Sequence, residues 1–112
     1  MKITHINDVS EIAINHNPEI KKKVILDKGY IPKLMIFGQA TFKPGQTVDA
    51  HVHKTMFEVF YIQKGKAEFV VEGNKIELAE GDSITIEPEE THSQSNPFDE
   101  DVTWLYFGIA TD

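Results

Sequence analysis

The sequence contains no cysteine. No disulfide can staple the fold and no thiolate metal site can form. Long apolar runs are missing too: none approaches the ~18–20 residues that a membrane helix needs. The opening MKITHINDVSEIAIN interrupts its apolar residues with charge, so it does not read as an export signal. Together these absences point to a cytoplasmic protein. Positive charge is also scarce, with a net charge of −7. That balance repels a phosphate backbone, and no basic cluster is interleaved with aromatics, so neither nucleic acid nor an anionic membrane is an expected partner. The one basic run, Lys21-Lys22-Lys23, reads as a solvated strand edge or face. Finally, no segment carries a capped apolar stripe of helical period, and no repeat, linker or low-complexity tract interrupts the chain.

What is present fits one domain spanning 1–112 with one core. Apolar residues make up 40% and charged residues 26%, ordinary for a globular chain. From about Ile20 onward the pattern is of short strands between turn signals. Val24–Leu26 is followed by Asp27-Lys28-Gly29, and Leu34–Phe42 by Pro44-Gly45. Val48–His53 and Phe57–Gln63 come next, and Lys64-Gly65 closes the second of these. Ala67–Val71 and Lys75–Leu78 flank Glu72-Gly73-Asn74, a tight-hairpin signal. Ser83–Glu87, Thr91–Ser95 and Val102–Ile109 complete the series. Many short strands at near-regular spacing predict an all-β sandwich or barrel. Residues 1–20 are the hardest to place, as an arm or edge strand, and Asn17-Pro18-Glu19-Ile20 could open a short helix. Phe98-Asp99-Glu100-Asp101 reads as a surface loop.

Candidate chemistry gathers at four residues. On a strand, His51 and His53 share one face, with Val52 on the other. Glu58 shares a face with Phe60 and Ile62, a costly place for a carboxylate unless something such as a dication pairs it. His92 lies at the start of a later strand, where a barrel could bring it back to the pair. Each piece alone has a plainer explanation. The two histidines could be half-exposed, Glu58 could face solvent after a one-residue register slip, and His92 could bond the backbone.

Their joint spacing with the glycines resembles the cupin family. Gly45, His51, His53, Glu58 and Gly65 occupy every fixed position of the first cupin motif. In GDSITIEPEETHSQSN, Gly81, His92 and Asn96 fit the second motif. Glu87 stands where proline is usual, Glu89 where glycine is usual, and Pro88 lies one place later. The resemblance implies a jelly-roll barrel (a double-stranded β-helix of two packed antiparallel sheets) with a metal at its mouth. It implies His51, His53, Glu58 and His92 as ligands, Gly45, Gly65 and Gly81 as turn residues, Asn96 as structural, and a homodimer.

Three neutral imidazoles and one carboxylate suit one divalent transition metal, Mn, Fe, Co, Ni or Zn, with coordination positions left open. Such a centre attracts an anionic or enolisable ligand although the chain is acidic. Phe60 and Ile62 are expected to line the pocket by parity with Glu58, and Gln94 by parity with His92, with Gln39 a further candidate. Glu89 and Glu90 read as solvated turn residues and Tyr61 as lying outside the barrel. No phosphate loop, Ser–His–Asp set or cysteine nucleophile offers other chemistry. The functional expectation is a small metalloenzyme, dioxygenase- or isomerase-like, acting on a small oxygenated organic molecule. The alternative is a barrel that binds or senses such a molecule through the same metal without turnover. Apolar residues on both parities of Val24–Leu26 and Val102–Ile109 add an independent reason to expect a homodimer.

Overall fold

The computed structural model describes every residue, Met1–Asp112. Its strands are β1 (Ile12–Ala13), β2 (Lys21–Leu26), β3 (Leu34–Phe42), β4 (Thr47–His51) and β5 (Met56–Lys64), followed by β6 (Lys66–Val71), β7 (Asn74–Ala79), β8 (Ser83–Ile86), β9 (His92–Ser95) and β10 (Val102–Ala110). A single 3-10 turn, Ile6–Asp8, precedes them. No helix is long and apolar enough to cross a membrane. The strands form two antiparallel sheets, β1-β2-β3-β10-β5-β8 and β4-β9-β6-β7. Neighbours such as β3–β10–β5 and β4–β9–β6 are distant in sequence, so the chain passes back and forth between sheets, as in a jelly roll.

Period-two alternation decides what each strand buries. Ala40 and Phe42 of β3, Glu58, Phe60 and Ile62 of β5, and Val102, Trp104 and Tyr106 of β10 all point inward. Phe69 of β6 meets them from the other sheet, with ring centroids 5.0 Å from Phe60 and 5.7 Å from Trp104. Burying a phenylalanine of this kind contributes about 1.5–3 kcal/mol, so these contacts hold the two sheets together. Asn96, fully buried, ties the acidic loop to the barrel. Its Nδ2 donates to the Phe42 carbonyl at 2.9 Å and the Glu100 carbonyl at 2.7 Å, and its Oδ1 accepts from Phe98 N–H. Gly65 makes the β5–β6 corner at φ +84°, where an added Cβ would overlap the Asp101 carbonyl oxygen.

Three local expectations need correction. Asn17–Ile20 is a turn and not a helix start. The Asn17 side chain accepts the Glu19 N–H at 3.0 Å, and Ile20 N–H donates to the Asn17 carbonyl at 3.1 Å. This local side-chain bonding competes with helix. Strand β4 ends at His51, not His53. The His53 carbonyl is bound instead by Glu89 N–H from another loop. The lysine run is not uniformly outward either. Lys22 pairs with Ala40, an inward residue, so Lys22 faces the interior.

Candidate metal centre

The four residues reach one place by three routes. His51 ends β4 and is paired in register with His92 at the start of β9. Glu58 lies on β5 in the opposite sheet, and His53 sits in the connection between β4 and β5. One donor atom from each lies within 4.8 Å of the other three. Bonds of ~2.0–2.2 Å to a shared ion place donors about 3–4 Å apart, so small rotations suffice to bind one.

Backbone carbonyls set the tautomers. His51 Nδ1 lies 2.8 Å from the Asp49 carbonyl, and His92 Nδ1 lies 3.0 Å from the Glu90 carbonyl. A carbonyl oxygen only accepts, so each Nδ1 carries the hydrogen and each neutral ring turns its Nε2 lone pair toward the cluster. This is the outer-shell bonding that orients metal-binding histidines.

The contact between His92 and Glu58 calls for positive charge in the centre. His92 Nε2 lies 3.3 Å and His53 Nε2 3.6 Å from the same Glu58 oxygen. Nitrogen lone pairs and a carboxylate oxygen repel unless a proton or a cation lies between them. Glu58 is 9% exposed and His92 1%, so water screens them little. Burial alone would raise the Glu58 pKa, but hydrogen bonds from His53 and His92 outweigh it and hold the carboxyl at about 2. For His92, burial opposes protonation and the hydrogen bond to Glu58 overcomes it, so its pKa is raised. His51 moves the other way. Burial lowers its pKa, and the neighbouring imidazoles of His92, His16 and His53 add to the effect. The donor set fits a dication: one fixed carboxylate, three imidazoles, and a charge deficit that a proton fills when no metal does.

His51, His53 and Glu58 of the cluster line a cavity of about 410 Å³, within the ~300–1,000 Å³ range of small-molecule sites. Met35, Ile36, Phe42, Phe60, Trp104 and Tyr106 supply much of its apolar lining. Two of the four expected pocket residues, Phe60 and Gln94, line it. Gln39 and Ile62 do not. Gln39 alternates with inward Ala40, so it faces out and donates from Nε2 to Gln63 Oε1 at 2.8 Å. Ile62 has the inward parity of Phe60 but lies deeper, wholly inside the core. Tyr61 is exposed, as its parity requires. Pattern reading missed four polar liners: Asn15, His16, Lys22 and Tyr106. His16 stacks on His51 with ring centroids 4.6 Å apart. Burial raises the Tyr106 pKa, with the Glu58 charge adding to the effect, so its hydroxyl stays neutral.

The fold and site together define a double-stranded β-helix barrel with a histidine–carboxylate cluster that could hold a metal ion. Residues 38–108 match the cupin domain model, and the chain belongs to the cupin family. Over 73 residues it is 30% identical to an oxalate-binding protein of Thermotoga maritima, a match covering 65% of this chain and 60% of that protein. Among solved structures it resembles a predicted oxalate decarboxylase of Thermotoga maritima, with TM-score 0.90, 23% identity, and coverage of 97% of this chain and 99% of that one. It also resembles the polyketide cyclase RemF of Streptomyces resistomycificus, with TM-score 0.83, 19% identity, and coverage of 100% and 80% respectively. At these identities the structural matches establish the fold.

Proposed function

We propose that this protein binds one divalent transition metal through His51, His53, Glu58 and His92, and through that metal captures a small oxygenated organic acid. The convergence of the four donor atoms, with His51, His53 and Glu58 on the wall of a mostly apolar cavity and His92 buried behind them, carries this reading. Three neutral imidazoles and one carboxylate leave a bound dication with a net charge of about +1, which favours anionic oxygen donors. When bound, the ion supplies Lewis acidity and open positions for such donors. The chain's own residues do the rest. Phe60, Trp104 and Ile36 present an apolar wall to the ligand, and the Tyr106 hydroxyl offers a hydrogen bond without ionising. The relationship to an oxalate-binding protein supports a carboxylate ligand.

A second reading adds turnover, as a dioxygenase- or isomerase-like metalloenzyme. His16 favours it, because this cavity-lining imidazole lies outside the ligand set and imidazole is suited to proton transfer. Elemental analysis of untagged protein tests the metal, and His51→Ala and His92→Ala should each abolish near-stoichiometric content. Sub-stoichiometric metal that neither substitution lowers would sink the proposal. Oxygen uptake, or conversion of a bound acid, separates the two readings.

The same proposal includes a homodimer. Phe57, Tyr61, Phe107 and Ile109 are exposed on the outer face of the larger sheet. The pairs Tyr61↔Leu105, Val59↔Phe107 and Phe57↔Ile109 join them into one apolar surface, which a second copy would cover.

A further inference from the structure

The cavity has a second polar pole that the metal site does not use. Lys22 is the only lysine lining it, and the chain contains no arginine. The lysines on either side are engaged elsewhere, Lys21 donating to the Pro18 carbonyl at 3.2 Å and Lys23 to the Ile6 carbonyl at 3.1 Å. The Lys22 ammonium donates to no protein group, although the residue is half-buried. Strand register places it far from the metal ligands. Lys22, Ala40, Trp104 and Ile62 form one row across the sheet, whereas Glu58 pairs with Gly108 in another. Ile62 lies four residues beyond Glu58 on β5, a distance along the strand of ~13 Å. Gln94 adds a second unmet demand. Its Oε1 is buried with no hydrogen-bond partner, and the residue lines the same cavity two positions along β9 from His92. A buried amide oxygen left without a donor is costly unless a ligand supplies one. Aromatic and aliphatic side chains, including Trp104, Phe42 and Ile36, make up much of the remaining wall.

Resting on the metal-binding reading above, we propose that the ligand is a bifunctional organic acid. One end carries chelating oxygens that approach the histidine–glutamate cluster. An apolar body of several ångströms lies against the aromatic wall, and a second carboxylate at the far end pairs with Lys22. A hydroxyl on the ligand donates to Gln94. The shortest dicarboxylate has no apolar body and cannot engage both poles at once. Lys22 is thus a specificity residue for ligand length and distal charge.

The test uses two probes with the same chelating head, 2-hydroxyadipate and 2-hydroxyhexanoate, which differ only in the distal carboxylate. Binding is read from the fluorescence of Trp104, the sole tryptophan, and by calorimetry, on the full chain with and without added metal. The wild type should bind the diacid at least about tenfold tighter than the monoacid, since a charge-assisted pair exceeds a neutral contact. Lys22→Met should erase that ratio by weakening the diacid alone, and Lys22→Arg should retain it. Equal affinities in the wild type, a ratio that survives Lys22→Met, or no binding of either probe would each overturn the inference. The metal reading is tested separately: it fails if the protein takes up no metal, or if chelation leaves both affinities unchanged. The diacid-to-monoacid ratio on the protein, metal-loaded or not, still decides the role of Lys22.

Discussion

Glu89 N–H donates to the His53 carbonyl at 2.7 Å, and Glu89 makes that bond from the left-handed region, at φ 70°. The turn before His92 therefore keeps a glycine-type backbone without the glycine. The same turn holds His53, which no strand ladder supports. A residue other than glycine at such a φ costs about 1 kcal/mol. Glu89→Gly should raise unfolding stability by about 0.5–1 kcal/mol in chemical denaturation and leave metal affinity unchanged. Glu89→Pro removes the donor and forbids the φ, and should weaken metal binding by roughly tenfold or more, as loss of outer-shell support does elsewhere.

Gly65 allows no such latitude. An added methyl group would meet backbone, the Asp101 carbonyl and the Val102 Cα, at φ +84°. Neither group is a flexible side chain that can step aside. Gly65→Ala should lower unfolding stability by about 2–4 kcal/mol, combining left-handed strain with steric overlap. A loss below 1 kcal/mol, roughly the strain cost alone, would mean that the corner relaxes.

Metal occupancy should be visible in stability. At free metal about a hundredfold above Kd, binding adds about 2.7 kcal/mol to unfolding free energy. Glu58→Gln removes the one anionic member of the proposed ligand set and should cut metal affinity by more than about a hundredfold, beyond typical outer-shell losses. Thermal melts with and without chelator, run on both proteins, check this. A melt shift of equal size in Glu58→Gln would contradict the ligand assignment.

The charge pattern of the metal-free site fixes a pH dependence. His92 has a raised pKa because of its hydrogen bond to Glu58, so below that pKa it holds a proton where the proposed metal would bind. Metal binding displaces that proton. Apparent affinity should therefore rise with pH, by up to about tenfold per unit while pH remains below the His92 pKa, and level off above it. Isothermal titration in buffers of different ionisation enthalpy should count roughly one proton released below that plateau. Flat affinity between pH 5.5 and 8, the range in which histidine usually titrates, would contradict the assignment.

The apolar outer face makes a prediction about assembly. Phe107 and Tyr61 sit diagonally across β10 and β5, Phe107 opposite Val59 and Tyr61 opposite Leu105. Sedimentation should give a dimer mass at micromolar concentration, and Phe107→Glu should give a monomer that retains its metal. A monomeric wild type would end the homodimer proposal.

Sequence legibility followed local periodicity. The bounds of β3, Leu34–Phe42, were readable to the residue because alternation and the Pro44-Gly45 turn agree there. The four clustered residues were readable because their joint spacing with the glycines fits both motifs, whereas strand parity alone left each with a plainer explanation. Lys22 escaped because a run of three lysines hides its alternation, and only the pairing with Ala40 reveals its side. His16 lies in irregular chain and reaches His51 through tertiary packing, for which no local pattern exists. Gln39 was misplaced although the inward residue beside it, Ala40, already indicated its side. Tyr106 had a usable signal: it pairs with Phe60 and shares its inward parity, but that pairing is set by sheet order.

One wall of the cavity belongs to the N-terminal arm. Ile14, Asn15 and His16 line it, and β1 joins the barrel through only two residue pairs, Ile12↔Lys22 and Ala13↔Lys21. The four clustered residues lie outside the arm, which touches them through the His16 ring stacked on His51. Exchanging or extending the arm could change which acid fits while leaving the coordination set intact. Evolution, or an engineer, could rewrite selectivity in a short stretch held to the barrel by a two-pair strand, the packing of Ile14 on the core and the His16–His51 stack.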